Sequence, residues 1–250
     1  MANGFSEGWR RVRSAAAGFV WLLAVSAAVM LVSAPALAAE PVKTVGIYVD
    51  PFYRSATTPG AAPQVATGKP HAELLASTRR EDILTVRDRI MASPKVVTPM
   101  TLMVLAIRLY DVGLRDDAVL WFYIAKDRHV TLTDVAVAGT PLLAQADQAM
   151  RDFSTLAGPI LNGYAFCDLA NQRALRAKAL AWVESNPYEV IFMERLPARS
   201  ADRAAALAQS IRAVKSNAEK ERAYFDDPKN AASFAEARNK NEADAKYCWK

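Results

Sequence analysis

Histidine and cysteine are almost absent from this sequence, with two of each, and its 10 glycines are outnumbered by 13 prolines. Two thiols and two imidazoles cannot build a zinc cluster of Cys and His ligands. His71 and His129 lie too far apart for a His-x-x-x-His metalloprotease helix. So little glycine excludes collagen-like and glycine-rich repeats. No Gly-x-Ser-x-Gly elbow occurs, and Thr67-Gly68-Lys69-Pro70 lacks both the upstream glycine and the following helix of a phosphate loop. No metal ligand set, cofactor or catalytic residue is identified. The chain also lacks a strong charge of one sign: 31 Lys and Arg face 26 Asp and Glu. Its basic residues are interleaved with acidic ones, as in Arg79-Arg80-Glu81-Asp82, which excludes a nucleic-acid surface as the expected partner.

What remains is 52% hydrophobic and 23% charged in 250 residues, enough for one sizeable core without staples. The start is distinctive. Arg10, Arg11 and Arg13 precede 26 uncharged residues, Ser14 to Ala39, which include Phe19-Val20-Trp21-Leu22-Leu23-Ala24-Val25 and close on Ala36-Leu37-Ala38. A basic stretch, an apolar stretch and a small-x-small site describe a signal peptide over residues 1–38, cut before Ala39. The apolar run is also long enough to span a membrane as an uncleaved anchor. Both readings export the rest of the chain, to the periplasm or beyond. Three basic residues and one acidic one leave with the leader, so the mature net charge drops from +5 to +3.

The mature chain keeps Cys167 and Cys248. In an oxidising compartment such an even pair reads as a disulfide. Closing a loop of 82 residues stabilises by roughly 4 kcal/mol in the chain-entropy account. Two buried thiols that never meet are the alternative.

Residues 42–50 are β-branched and aromatic and read as one short extended segment, followed by an exposed Ala/Thr/Pro/Gly loop over 55–70; together they make residues 39–70 an extended N-terminal stretch. Residues 71–250 read as a single all-α domain of antiparallel helical hairpins. Thr78-x-x-Glu81 is a capping box for a helix that Ser93-Pro94 stops. Thr98-Pro99 opens a second helix and Gly113 suits its end. Ala118, Trp121, Phe122 and Ala125 stripe a third, with His129 placed near its end. Residues 134–165 hold one or two helices, interrupted at Gly158-Pro159. A helix spans 171–185, Tyr188 to Met193 is extended, Ser200 caps a long helix, and a last one runs from about 229 to 246 with a thin apolar stripe. The cysteine tie explains how that last helix stays docked.

Gly113, Ala118, Phe122 and Ala125 have the small–Ala–aromatic–Ala spacing of a tetratricopeptide unit, which the segment 99–128 resembles. The resemblance covers about 30 residues and has no second copy at a 34-residue period. It implies that the outer face of the first helix, Met100, Met103, Ile107, Tyr110 and Asp111, lines a peptide groove. That face is too apolar for water, so a neighbouring helix or a partner must cover it. Two aromatic and polar patches in irregular segments are further candidates for partner binding: Tyr48, Asp50, Phe52 and Tyr53, and Asn162 with Tyr164. The expected function is an exported protein-binding or adaptor module whose partner is another envelope or secreted protein. An immunity or inhibitor protein against a secreted toxin is one alternative. An envelope hydrolase using a carboxylate pair, among Asp116-Asp117, Glu189 with Glu194, or Asp226-Asp227, is the other.

Overall fold

The computed structural model describes residues 39–46, 53–54, 64–65, 70–137 and 141–249. The signal segment and Tyr48, Asp50 and Phe52 lie outside these residues, as does the second half of the expected strand.

The described chain is all-α. Its helices are α1 (Ala72–Ala76), α2 (Arg80–Ala92), α3 (Pro99–Asp111), α4 (Arg115–Val135), α5 (Pro141–Ala165), α6 (Leu169–Ser185), α7 (Arg203–Asp226), α8 (Pro228–Lys240) and α9 (Ala243–Tyr247), with a 3-10 turn at Glu189–Phe192. Two two-residue strands, β1 (Tyr53–Arg54) and β2 (Gln64–Val65), pair antiparallel with Tyr53 opposite Val65. They fall partly within the stretch read as a loop.

The α3–α4 hairpin is the centre. Thr98 caps α3 by accepting the Thr101 amide, and Pro99 fills the first helical position where no amide is needed. The turn is closed by Gly113 at φ +81°. Its amide donates to Tyr110 O and that of Leu114 to Leu109 O, which satisfies two carbonyls the ending helix would orphan. Between these caps α3 is buried almost all round: Leu102 through Ile107 and Leu109 have no exposure. α1 and α2 pack on α3, α6 and α7 on α4, and α5 on both. Over Met103 and Ile107 the outer α3 face is covered within the core, while Tyr110 and Asp111 meet the extended residues 42–45. Ala118, Phe122 and Ala125 face this core as the periodicity requires. A second, smaller cluster joins Leu132, Val135, Ala136, Leu143, Tyr188, Ile191 and Leu207.

Several local expectations are corrected. The Thr78 capping box does not form; Ser77 Oγ accepts the Arg79 amide and donates to Asp82 instead. α5 runs unbroken through Gly158-Pro159. An internal proline costs a helix about 3 kcal/mol. Phe153, Ala157 and Leu161 on the same helix have no exposure, and each large apolar side chain contributes about 1.5–3 kcal/mol on full burial, which outweighs it. Within Tyr188 to Met193, Glu189–Phe192 form the 3-10 turn, and only the flanking Tyr188 and Met193 are extended. Asp202, not Ser200, caps α7. The final helix is two helices, α8 and α9, separated at Glu242 with φ 53°. That reversal brings Cys248 back to Cys167, and the two are bonded with their Cα atoms 5.5 Å apart.

Candidate functional site

α4 continues well beyond Ala125 and places Arg128 and His129 in its interior, two turns before its end at Val135, rather than at a helix terminus. Arg128 takes the next inward position after Ala125 and is 1% exposed. A charge there costs several kcal/mol unless its donors are matched. Its guanidinium donates to Pro94 O at 2.7 Å, Val97 O at 2.9 Å and Asn186 O at 2.7 Å. The rings of Trp182 and Tyr188 flank it, with centroids at 4.7 and 5.4 Å. Burial without a carboxylate pushes its pKa down to about 10, so it stays charged at neutral pH.

Those carbonyls belong to the two strips of chain that wall a cavity. One leads from Pro94 into the start of α3. The other runs from Asn186 through the 3-10 turn to Leu196. A second arginine, Arg203 at the first position of α7, holds the far end of that strip. It donates to Ile191 O at 2.7 Å, Met193 O at 3.0 Å and Leu196 O at 2.7 Å. A bridge between Ala136 and Ala198 and the Arg199 side chain on Ala136 O fasten the strip to the end of α4. The walls are set by arginine forks on backbone carbonyls, a rigid frame rather than a loose loop.

The cavity has a volume of about 230 Å³ and lies at the seam between the two core clusters. Met100, Leu132, Leu143, Met150, Val190 and Leu196 give it an apolar lining. An apolar cavity of about 150 Å³ is large enough to take benzene, so this one admits an aromatic or branched aliphatic side chain. Thr98, Tyr188 and His129 are its polar lining residues, and His129 also borders an open groove between α4 and α5 with Lys126, Arg151 and Ser154. His129 Nε2 is 3.3 Å from Asp147 Oδ1. Its Nδ1 is buried without a hydrogen-bond partner. Burial, and then the charge of Arg151, hold the imidazole below its ordinary pKa despite Asp147, so it is neutral at pH 7.

The residues expected to bind a partner are dispersed. Met100 lines the cavity, whereas Met103 and Ile107 are sealed in the core with no exposure and present no surface. Tyr110, Asp111 and Tyr164 come together at the far end of the α3–α4 hairpin. Tyr110 is almost wholly buried there and donates to Val42 O at 2.9 Å; burial pushes its pKa up to about 12. Asp111 accepts the Val45 amide at 2.7 Å and Arg108 at 3.2 Å, and burial raises its carboxyl above the usual range. Tyr164 donates to Asp116 at 2.9 Å, with Arg115 over its ring at 4.7 Å. Asn162 sits half-buried one turn before the end of α5. Of Tyr53, only the backbone pairing in β1 is described. Five of the six carboxylate candidates, all but Glu194, have structural partners: Asp116 holds Tyr164 and Asn171, Asp117 pairs with Arg87, Glu189 with Lys95, Asp226 with Arg173, and Asp227 caps α8. Among the described residues no group of three or more His, Cys, Asp or Glu is placed to hold a metal ion.

Leu143, Tyr188, Val190, Arg128 and Arg203 were not legible as site residues. Arg128 alone left a trace, a charge on the inward stripe Ala118–Phe122–Ala125–Leu132. No family model matches the chain, and no solved structure matches it significantly. An uncharacterized protein of Haemophilus influenzae is 32% identical over 228 residues, which take in 91% of this chain and 88% of that protein. At that identity and coverage, this chain belongs to the same family as the Haemophilus influenzae protein.

Proposed function

We propose that this is an exported helical binding module that receives an apolar side chain of a partner protein in the cavity between α3, α4, α5 and the 3-10 turn. The observation that carries the reading is the cavity itself, apolar and walled by strips of chain that Arg128 and Arg203 tie down. Val96, Val130, Val137 and Phe192 are exposed, and all four lie in or beside the segments that wall it. An anchor pocket in an apolar setting is the usual anatomy of a protein-docking site. The tetratricopeptide-like spacing in the α3–α4 hairpin is consistent with a scaffold role. In this chain, however, Met103 and Ile107 of the α3 face that would line a peptide groove are sealed in the core, and Met100 of that face borders the cavity.

Export rests on the signal-peptide pattern, and the disulfide is compatible with an oxidising compartment. Among the described residues no helix is long and apolar enough to cross a membrane. N-terminal sequencing of envelope-fraction protein is expected to begin at Ala39; a start at Met1 or Ala2 would replace cleavage with anchoring.

The binding test places a photo-reactive residue at Val190 of the mature protein in an envelope extract. A discrete cross-linked partner is expected, and Ala146→Trp, which fills the cavity, should abolish it. Undiminished cross-linking by the filled variant would refute the cavity as the docking site.

A further inference from the structure

We infer that the Cys167–Cys248 disulfide is a thiol-exchange site for a dithiol oxidoreductase, and that its opening loosens the hold of the C-terminus on the N-terminal segment. Three features support this. The bond is accessible at one side: Cys167 is exposed at the turn between α5 and α6, while Cys248 is half-buried. The Arg238 guanidinium of α8 lies over the bond, 3.2 Å from Cys248 Sγ and 3.6 Å from Cys167 Sγ. It is fixed there by Gly163 O at 3.2 Å and by Asp244 at 2.7 Å. Asp244 Oδ1 also lies 3.5 Å from Cys248 Sγ and opposes this positive charge, but its side chain is 69% exposed against 13% for Arg238, so water screens the carboxylate more. A cation against a sulfur lowers the pKa of the thiolate that forms on it and makes it a better leaving group.

The exchange balances as follows. A thiolate of the oxidoreductase attacks Cys167 Sγ, the Cys167–Cys248 bond breaks, and its electron pair goes to Cys248 Sγ beside Arg238. The second thiol of the oxidoreductase then attacks the mixed disulfide, freeing Cys167 and leaving the oxidoreductase as a disulfide. Two electrons have passed to this protein, and its two sulfurs take up the protons of the dithiol.

The third feature is what the bond restrains. The Val42 amide donates to Lys246 O at 2.8 Å, and Trp249 Nε1 donates to Val42 O at 3.3 Å. Arg115 in turn donates to Trp249 O at 2.7 Å and lies 4.1 Å from the Trp249 ring. The segment that would follow the signal peptide is thus held by residues within three positions of Cys248.

The test is the rate at which dithiothreitol reduces the native protein, read by alkylation and mass spectrometry, for wild type, Arg238→Gln and Arg238→Lys, with hydrogen exchange on the reduced form. Native wild type is expected to be reduced without unfolding. Arg238→Gln should be slower by about threefold to tenfold, Arg238→Lys close to wild type, and all three equal in guanidinium. Exchange should rise in residues 39–46 and 243–249 and stay unchanged in α3 and α4. Reduction only on unfolding, a glutamine variant as fast as wild type or faster, or unchanged exchange at Val42 would overturn the inference.

Discussion

Arg128 donates to the carbonyl of Asn186 across 2.7 Å, tying the middle of α4 to the first residue of the cavity wall. The same fork reaches Pro94 and Val97, so one side chain holds both walls. Lysine keeps the charge but has neither the planar fork nor the reach to serve three carbonyls. Arg128→Lys is expected to destabilise by about 2–4 kcal/mol, since hydrogen bonds to a charged group contribute about 1.5–3 kcal/mol each and one or two are lost. Urea unfolding measures the loss, and cross-linking at Val190 should fall with it.

Gly163 lies under the Tyr247 ring so closely that a Cβ added there would stand 2.5 Å from the nearest ring carbon. The ring must move, and α9 with it. Gly163→Ala is expected to cost about 1–3 kcal/mol, the range of overpacking. Hydrogen exchange should report it first in residues 243–249, while α3 keeps its protection.

Gly113 poses a different constraint. Nothing lies within 4 Å of a Cβ placed there, so space is free, but φ is +81°. Gly113→Ala therefore isolates the backbone term and should cost about 1–2 kcal/mol. Thermal unfolding would register it without a change in the native spectrum.

Both histidines are held below their ordinary pKa of 6.5 chiefly by burial, with Arg151 adding to the effect at His129 and Arg89 at His71. In the unfolded chain they protonate first as pH falls. The unfolded state then binds more protons, and stability declines from pH 6.5 downward until the folded histidines protonate as well. Denaturation midpoints between pH 8 and pH 5 should show this slope. His129→Gln should flatten it more than His71→Gln, because the His129 imidazole is the more deeply buried of the two.

Helices were legible wherever a cap, a stripe and a stop agreed. Thr98-Pro99, the Leu102–Leu109 stripe and Gly113 define α3 almost to the residue. The reading failed where two local rules competed. At Gly158-Pro159 the breaker signal lost to the buried face of α5. Past Ala125 the β-branched residues Val130, Thr131 and Thr133 obscured the second half of α4, which burial of Leu132 and Val135 sustains. The cavity was not legible at all. Its lining comes from segments nearly a hundred residues apart, and its frame depends on Arg128 and Arg203 meeting backbone carbonyls, groups that every residue carries and no sequence distinguishes.

The sequence by itself determined the helical class, the export signature and the expectation that Cys167 bonds Cys248, because periodicity, a charge-then-apolar leader and an even cysteine count act through local chemistry or composition. Only the tertiary structure decided which apolar residues are core and which are site. Met100 and Met103 sit three positions apart on one helix, yet one lines a cavity and the other is sealed in the core. What separates them is the neighbour each one meets: the wall pinned by two arginines stops short of filling the space beside Met100, while the helices around Met103 close completely.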